Sequence, residues 1–235
     1  MNKENTCKSL FFLLLIFIAA GGQTYAQNGR HEHSVVNWGI RAGLNALSTN
    51  HYRLLLEGAG LDNKFKENNI GYSFAGYARI NLDDFFMQPE LSWNIYRQNF
   101  SFALPDEDET VALQRNIMVR SCVGASTALV GYNIVKDGPY LLSFVTGPSL
   151  RCAYNTNYKT KGGINFTDKK LHYSYTGIVG FSVSISKFHF DIRYEFNKPH
   201  TNVNFNDIAN APELFNDISI QKNENILGFS CGLMF

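Results

Sequence analysis

The feature that most constrains the fold of this 235-residue chain is an alternation of apolar and polar residues that recurs eight times. In the stretch IGYSFAGYARINL, the even positions from Tyr72 to Leu82 are apolar or small, whereas Ser73, Arg79 and Asn81 are polar. Successive side chains of a β-strand point to opposite faces, so each such stretch predicts a strand with one apolar and one polar face. The alternation therefore predicts an all-β protein.

The predicted strands are longer than the usual five or six residues of soluble sheets. They cover residues 36–47, 70–82, 86–98, 111–132, 140–154, 171–186, 188–197 and 224–235. Short turns near Asp83, Asp137 and Lys187 alternate with longer polar connections. This pattern predicts an eight-stranded antiparallel up-and-down transmembrane β-barrel, with short periplasmic turns and long extracellular loops. A soluble β-sandwich is the alternative fold.

The N-terminus has the features of a secretory signal peptide. Lys3 and Lys8 precede an apolar run at 10–20, and small residues approach Ala26. The run is too short for a membrane-spanning helix, which needs about 18 residues or more. We therefore predict a signal peptide at 1–26, a flexible leader at 27–35 and an outer-membrane barrel domain at 36–235.

Charge and cysteine content exclude several classes of protein. The chain has 21 basic and 20 acidic residues, and loss of the signal peptide makes it formally neutral, so no nucleic-acid partner is expected. Cys122, Cys152 and Cys231 lack the spacing of a zinc site or a disulfide framework, and packing roles are expected for them. His31 and His33 precede the first strand, and we interpret them as leader residues, with a metal site as the alternative. No cofactor, metal or catalytic residue is predicted.

The polar faces of the predicted strands carry a set of charges that a narrow barrel would enclose. Its members are Arg41, Arg79, Glu90, Arg120, Arg151, Asp191, Arg193 and Glu195. An eight-stranded barrel is only wide enough for side chains to fill it, so these charges must pair inside. We interpret the set as a salt-bridged plug that fixes the shape of the barrel. A narrow conduit or a proton-sensitive gate is the alternative interpretation.

Two segments need a specific interpretation. On the fourth strand, Ile117, Val119, Val123 and Leu129 are predicted to face outward, which places Arg120 inside. In the first long connection, the apolar residues 54–56 are predicted to form a short helix that caps the outer rim. A partner-docking patch is the alternative for this segment.

The chain stops at Phe235, at the end of an alternating strand. In a closed barrel this last strand must pair with the first, so that no open edge is left in lipid. Phe229, Leu233 and Phe235 would then face the bilayer. Such a C-terminal aromatic strand is typical of outer-membrane barrels, and we interpret these three residues as a signal to the barrel-assembly machinery.

Several ordered motifs resemble the PorT-like outer-membrane β-barrel family. They are WGIRAGLNA, FFMQPELSW, PYLLSFVTGPSLRCAY, FHFDIRYEFN and the terminal strand that closes on Phe235. The resemblance implies an eight-stranded barrel in the outer membrane of a Gram-negative bacterium. It implies little about activity, because the founding member is linked to a protein secretion system while most relatives have no assigned task, and it transfers no catalytic residue. The sequence QRNIMVRSCVG departs from the family pattern in the fourth strand.

The expected function is that of a non-enzymatic, monomeric outer-membrane barrel with a structural, surface-exposed or secretion-associated role. Outer-membrane lipid and the assembly machinery are the expected partners, and secretion or envelope proteins are candidates for contact through the long loops. A narrow small-solute porin is the alternative. A lipid hydrolase is a third hypothesis, based on His172 beside Ser174 and on His189 beside Asp191.

Overall fold

The computed structural model describes the barrel part of the chain. The described residues are 35–56, 59–61, 69–104, 113–137, 139–160, 165–197, 201–204 and 218–235. The predicted signal peptide, the leader up to residue 34 and His31 and His33 lie outside these ranges. No helix among the described residues is long and apolar enough to cross a membrane.

Eleven strands make up this part of the chain, eight of them long and three short. They are β1 (Val36–Leu56), β2 (Ala59–Leu61), β3 (Asn69–Leu82), β4 (Phe85–Leu104), β5 (Leu113–Asp137), β6 (Tyr140–Thr160), β7 (Asn165–Asp168), β8 (His172–Ile185), β9 (Phe188–Asn197), β10 (Thr201–Asn204) and β11 (Ile218–Met234). The short strands β2, β7 and β10 pair with β1, β6 and β11, respectively.

The eight long strands form a closed antiparallel barrel. Their order is β1, β3, β4, β5, β6, β8, β9 and β11, and each pairs with the next along the chain. The barrel closes because β11 also pairs with β1, from Gly39 opposite Met234 to Leu56 opposite Ile218. The predicted up-and-down topology is therefore confirmed.

The short connections lie together at one end of the barrel, which we call the turn rim. Its turns lie at residues 83–84 after β3, between Asp137 and Tyr140 after β5, and at residues 186–187 after β8. Asp83 and Ser186 have φ angles of 55° and 56°, the left-handed conformation that tight hairpin turns require. All three predicted short turns are confirmed. We call the opposite end, where the short strands β2, β7 and β10 pair, the loop rim.

The outer face of the barrel is an apolar band with aromatic side chains near both edges. Near the turn rim, Trp38 packs on Phe235 with ring centroids 5.0 Å apart, and Phe85 packs on Tyr132 at 5.1 Å. Nearer the loop rim, the indole NH of Trp93 donates a hydrogen bond of 2.6 Å to the Tyr154 hydroxyl. A lipid-facing band between two aromatic girdles is the surface expected of a transmembrane barrel.

The structure corrects the predicted orientation of β5. Its apolar residues point inward, since Ile117 and Val119 are each 3 % exposed and Leu129 is 1 % exposed. Arg120 is exposed on the outer face. The prediction was wrong because the interior contains apolar clusters as well as charges. One of these clusters consists of Phe86, Leu129, Val145 and Ile178, and another consists of Leu47, Tyr96, Val123 and Ile226.

The structure also corrects the helix predicted at residues 54–56. These residues form the outer end of β1, where they pair with β11 on one side and with β2 on the other. Both edges of this segment meet a strand, so its backbone groups bond between strands instead of along a helix. The pairing of β1 with β3 ends at Leu47 opposite Asn69. Residues 54–56 lie beyond that point and are part of the barrel wall, not a helix that caps the rim.

Two interior glycines make room for aromatic rings on the neighbouring strand. Gly131 lies opposite Phe86, and a Cβ atom at Gly131 would be 2.1 Å from the Phe86 ring. Gly39 lies opposite Tyr77 in the same way, with the ring 2.6 Å from an added Cβ. In contrast, a Cβ at Gly124 on β5 would meet no atom within 4 Å. The interior is therefore packed to contact at these rings.

We expect Gly131→Ala to destabilise the barrel by about 1–3 kcal/mol, since the Phe86 ring must shift within a packed interior. Gly124→Ala on the same strand is the matched control and should leave stability unchanged. Denaturant unfolding of the refolded protein measures both changes. Equal stability of the two variants would show that the Phe86 ring moves freely.

The C-terminal residue completes the seam of the barrel. The backbone NH of Phe235 donates to the Trp38 carbonyl at 2.7 Å, and the Trp38 NH donates to the Phe235 carbonyl at 3.1 Å. Phe229, Leu233 and Phe235 are all exposed on the outer face. The structure thus places the three residues of the interpreted assembly signal on the surface that faces lipid.

We expect deletion of Phe235 to impair membrane assembly, because it removes two backbone hydrogen bonds and a ring contact from the seam. Phe235→Ala keeps the backbone bonds and removes only the ring. Heat-modifiable gel migration measures the folded fraction in outer membranes. This fraction should fall for both variants if the assembly machinery recognises the Phe235 ring. Normal assembly of Phe235→Ala would assign the defect to the seam alone, and normal assembly of the deletion would make the residue dispensable.

Candidate functional site in the barrel interior

The centre of the interior holds a carboxylate between two arginines. Glu90 on β4 is bonded to Arg41 on β1, and its Oε2 also accepts a hydrogen bond of 2.8 Å from Arg193 on β9. The side chains of Glu90 and Arg193 are 2 % and 4 % exposed. A single buried carboxylate thus links three strands across the barrel, which offsets the desolvation of the two cations.

A second carboxylate completes this central network. Asp191 Oδ1 lies 3.2 Å from Arg193 Nη2, and Asp191 Oδ2 lies 3.8 Å from Arg41 Nε. Ser230 on β11 joins the network, since its hydroxyl accepts a bond of 2.6 Å from Arg41 and donates one of 3.3 Å to Asp191. The two arginines and two carboxylates sum to zero formal charge, as a buried cluster requires.

Arg79 lies in the interior near the turn rim, where it forms no ion pair with a carboxylate of the described residues. Its guanidinium lies 3.5 Å from the centre of the Phe86 ring, and it donates hydrogen bonds to Asn81, Asn133 and Ser143. Arg79 is completely buried. A cation can be held here because a ring face and several amide and hydroxyl oxygens replace part of its hydration.

Arg151 marks a third level of the interior, closer to the loop rim. It lies 5.0 Å from the centre of the Tyr96 ring and 4.0 Å from a carboxylate oxygen of Glu195. Further toward this rim, Gln98 donates a hydrogen bond of 2.6 Å to the buried carboxylate of Glu224. Charged and amide side chains therefore cross-link the interior at successive levels from one rim to the other.

The predicted set of interior charges is largely found together. Arg41, Arg79, Glu90, Arg151, Asp191, Arg193 and Glu195 are buried or half-buried inside the barrel. Arg120 is the exception, and its outward position corrects the prediction. Glu224 was not among the interior charges predicted from the sequence. This residue lies on the same inward face of β11 as Ile226 and Gly228, so extending the alternation of that strand would have identified it. His189 was considered only as a member of a hydrolase pair.

The structure brings together a serine, a histidine and an aspartate that sequence reasoning did not combine. His189 Nδ1 is hydrogen-bonded to Ser184 at 2.8 Å, and His189 Nε2 lies 3.2 Å from Asp191. All three are at least 97 % buried, and Asp191 is also engaged by arginines. A nucleophile must reach its substrate, so this trio suits a structural role. His172 is paired with Asp168 at 2.7 Å.

One cavity inside the barrel is small and polar. A cavity of about 20 Å³ lies at the level of the central network, lined by residues that include Arg41, Asn45, Glu90, Asn94 and Arg193. This volume suits one or two water molecules with polar partners. Within the described residues, no group of three or more histidine, cysteine, aspartate and glutamate side chains is placed to hold a metal ion.

The closed sheet, apolar outer band and polar filled interior define a transmembrane β-barrel. The family described as outer membrane protein beta-barrel domain matches residues 25–197, and the chain belongs to this family. No curated protein matches the chain in sequence.

Solved structures similar to the chain include two bacterial proteins. One is Ail, the attachment invasion locus protein of Yersinia pestis, which is 15 % identical with a TM-score of 0.42, covering 85 % of this chain and 99 % of Ail. Another is Neisserial surface protein A, which is 11 % identical with a TM-score of 0.36, covering 83 % of this chain and 96 % of that protein.

We expect Glu90→Gln to destabilise the barrel by about 3–5 kcal/mol, because it leaves two buried arginines short of a counter-charge. Asp84→Asn is the control, since Asp84 forms an exposed pair with Lys136 at the turn rim, and its loss should cost less than about 1 kcal/mol. Denaturant unfolding in lipid vesicles measures both. Similar values for the two variants would contradict a stabilising role for the central network.

Proposed function

We propose that this protein is a non-enzymatic outer-membrane barrel that acts through its extracellular segments. The observation that carries the proposal is the cross-linked interior, in which Glu90 joins arginines of two other strands and the network lines a cavity of about 20 Å³. A barrel packed in this way supports neither bulk flow nor substrate access to Ser184 and His189. Its capacity to contact other molecules then lies at the rims and on the lipid-facing surface.

The length of the wall at the loop rim supports this proposal. Pairing between β4 and β5 continues from Arg97 opposite Arg120 to Leu104 opposite Leu113. These seven further residues extend the wall by about 23 Å along the strands. The connection between β4 and β5 therefore starts well beyond the apolar band, at a distance suited to contact with molecules outside the cell.

Within this function, we favour a secretion-associated role. The support is the resemblance of the ordered strand motifs to the PorT-like family, whose founding member is linked to a secretion system. A structural or general surface role is the broader form of the same proposal. All these forms require the long connections to be extracellular.

A narrow porin is the second candidate function. It is favoured by the polar lining of the central cavity, where Arg41, Glu90 and Arg193 meet side chains that include Asn45 and Asn94. Such a lining would suit a small hydrated solute if the network opened. A steady conductance of the refolded barrel in planar bilayers would support this candidate over the first.

The proposed function predicts that protease added to intact cells cuts the connection at residues 206–213. The turn at 138–139 should stay protected until the outer membrane is permeabilised, which makes it the matched internal control. Replacing residues 206–213 with a glycine and serine segment should reduce the set of secreted proteins and leave barrel assembly unchanged. Protection at 206–213 together with cleavage at 138–139 would overturn the topology, and unchanged secretion would contradict the secretion-associated role.

A further inference from the structure

The outer face of the barrel carries a basic cluster next to the lipid-facing band. Arg97 on β4 lies directly opposite Arg120 on β5. Lys159 on β6 lies opposite Met118, the next outward position on β5, so it is a diagonal neighbour of Arg120. All three cationic side chains are exposed. We call Arg97, Arg120 and Lys159 the outer basic cluster.

This arrangement is unfavourable without an anion. Like charges directly opposite each other on antiparallel strands destabilise a sheet. Within the described part of the chain, no side chain forms an ion pair with any member of the cluster. The interior arginines differ, since Arg41 and Arg193 contact carboxylates and Arg79 contacts a ring and polar oxygens. The outer cluster thus has an excess of positive charge facing away from the protein.

The position of the cluster relative to lipid indicates where an anion that neutralises it would come from. Along β4 the outward positions Phe85, Met87, Leu91, Trp93 and Ile95 are large and apolar, and Arg97 is the next one. Trp93 is hydrogen-bonded to Tyr154 and lies four residues before Arg97. In a barrel with tilted strands, four residues correspond to about 10 Å along the barrel axis. Trp and Tyr side chains mark the interface between hydrocarbon and headgroups. The cluster is therefore at headgroup level.

The cluster occupies one side of the barrel. On β3, next to β4, the outward residues at this level are Ile70 and Tyr72, and Tyr72 lies opposite Ile95. On the other side of the cluster, Lys159 lies opposite Asn165 of β7. All three flanking residues are exposed and uncharged. A general attraction to an anionic surface would suit charges spread around the rim, whereas three cations on adjacent strands suit one localised anion.

We propose that Arg97, Arg120 and Lys159 bind a phosphate group of a phosphorylated lipid in the outer leaflet of the membrane. Guanidinium groups present a planar fork of donors that matches phosphate oxygens, and an ammonium group adds a compact third charge. A phosphate between the three side chains removes their mutual repulsion. The acyl chains of the same lipid lie against the apolar residues below, which include Trp93 and Ile95.

The test uses the mature chain refolded in maltoside micelles, which contain no phosphate. Diphosphoryl lipid A and its dephosphorylated form are the probes, and native mass spectrometry measures bound lipid during a titration. Arg97→Gln combined with Arg120→Gln should weaken binding of diphosphoryl lipid A by about thirtyfold. Lys136→Gln combined with Lys187→Gln removes two exposed charges at the turn rim and should leave binding unchanged. Heat-modifiable migration verifies that each variant is folded.

Three results would overturn the proposal. The first is that the Arg97 and Arg120 double variant binds diphosphoryl lipid A as tightly as the unmodified protein does. The second is that the unmodified protein binds the diphosphoryl and dephosphorylated forms equally. The third is that inorganic phosphate at matched concentration displaces the lipid. The last result would assign the cluster to free anions. If the double variant does not fold, the single variants Arg97→Gln and Arg120→Gln replace it, and each should weaken binding by about fivefold. The readout is lipid binding, so it is independent of the result of the secretion test.

Discussion

The pairing of β11 with β1 is the interaction on which the rest of this structure depends. A sheet in hydrocarbon has no water to satisfy its edges, so an unpaired edge would cost several kcal/mol for each exposed backbone group. Pairing along the whole seam, from Gly39 with Met234 to Leu56 with Ile218, removes both edges at once. The aromatic contact between Trp38 and Phe235 covers the end of that seam at the turn rim.

Closure in turn dictates the chemistry of the interior. Eight strands enclose a space that side chains fill, and an inward residue on one strand therefore meets residues from strands on the far side. The central network illustrates this, because Glu90 joins arginines from β1 and β9 in one neutral group. In the proposed function, functional contacts lie at the rims and the outer face, and the cross-linked interior is the scaffold of the barrel.

The alternation of the sequence predicted most of the fold, and the exceptions have a common physical cause. Strands such as β3 and β9 have strongly apolar outer faces, and their orientations and turns were predicted from residue type alone. On β5 the apolar residues face inward, since Val123 and Leu129 fill clusters around Tyr96 and Phe86. Small residues such as Gly124 occupy its outer face. Polarity alone could not assign the two faces of this strand, and Arg120 was misplaced as a consequence.

The sequence by itself determined the number of long strands, the three tight turns, the closing aromatic strand and the charges at strongly patterned inward positions. These properties are local, since they follow from the period of a strand and the chemistry of a turn. Only the tertiary structure decided which charges meet, because Arg41, Glu90 and Arg193 come from strands far apart in the chain. It also decided that Arg120 lies outside beside Arg97, since the register between β4 and β5 sets which residues share a face.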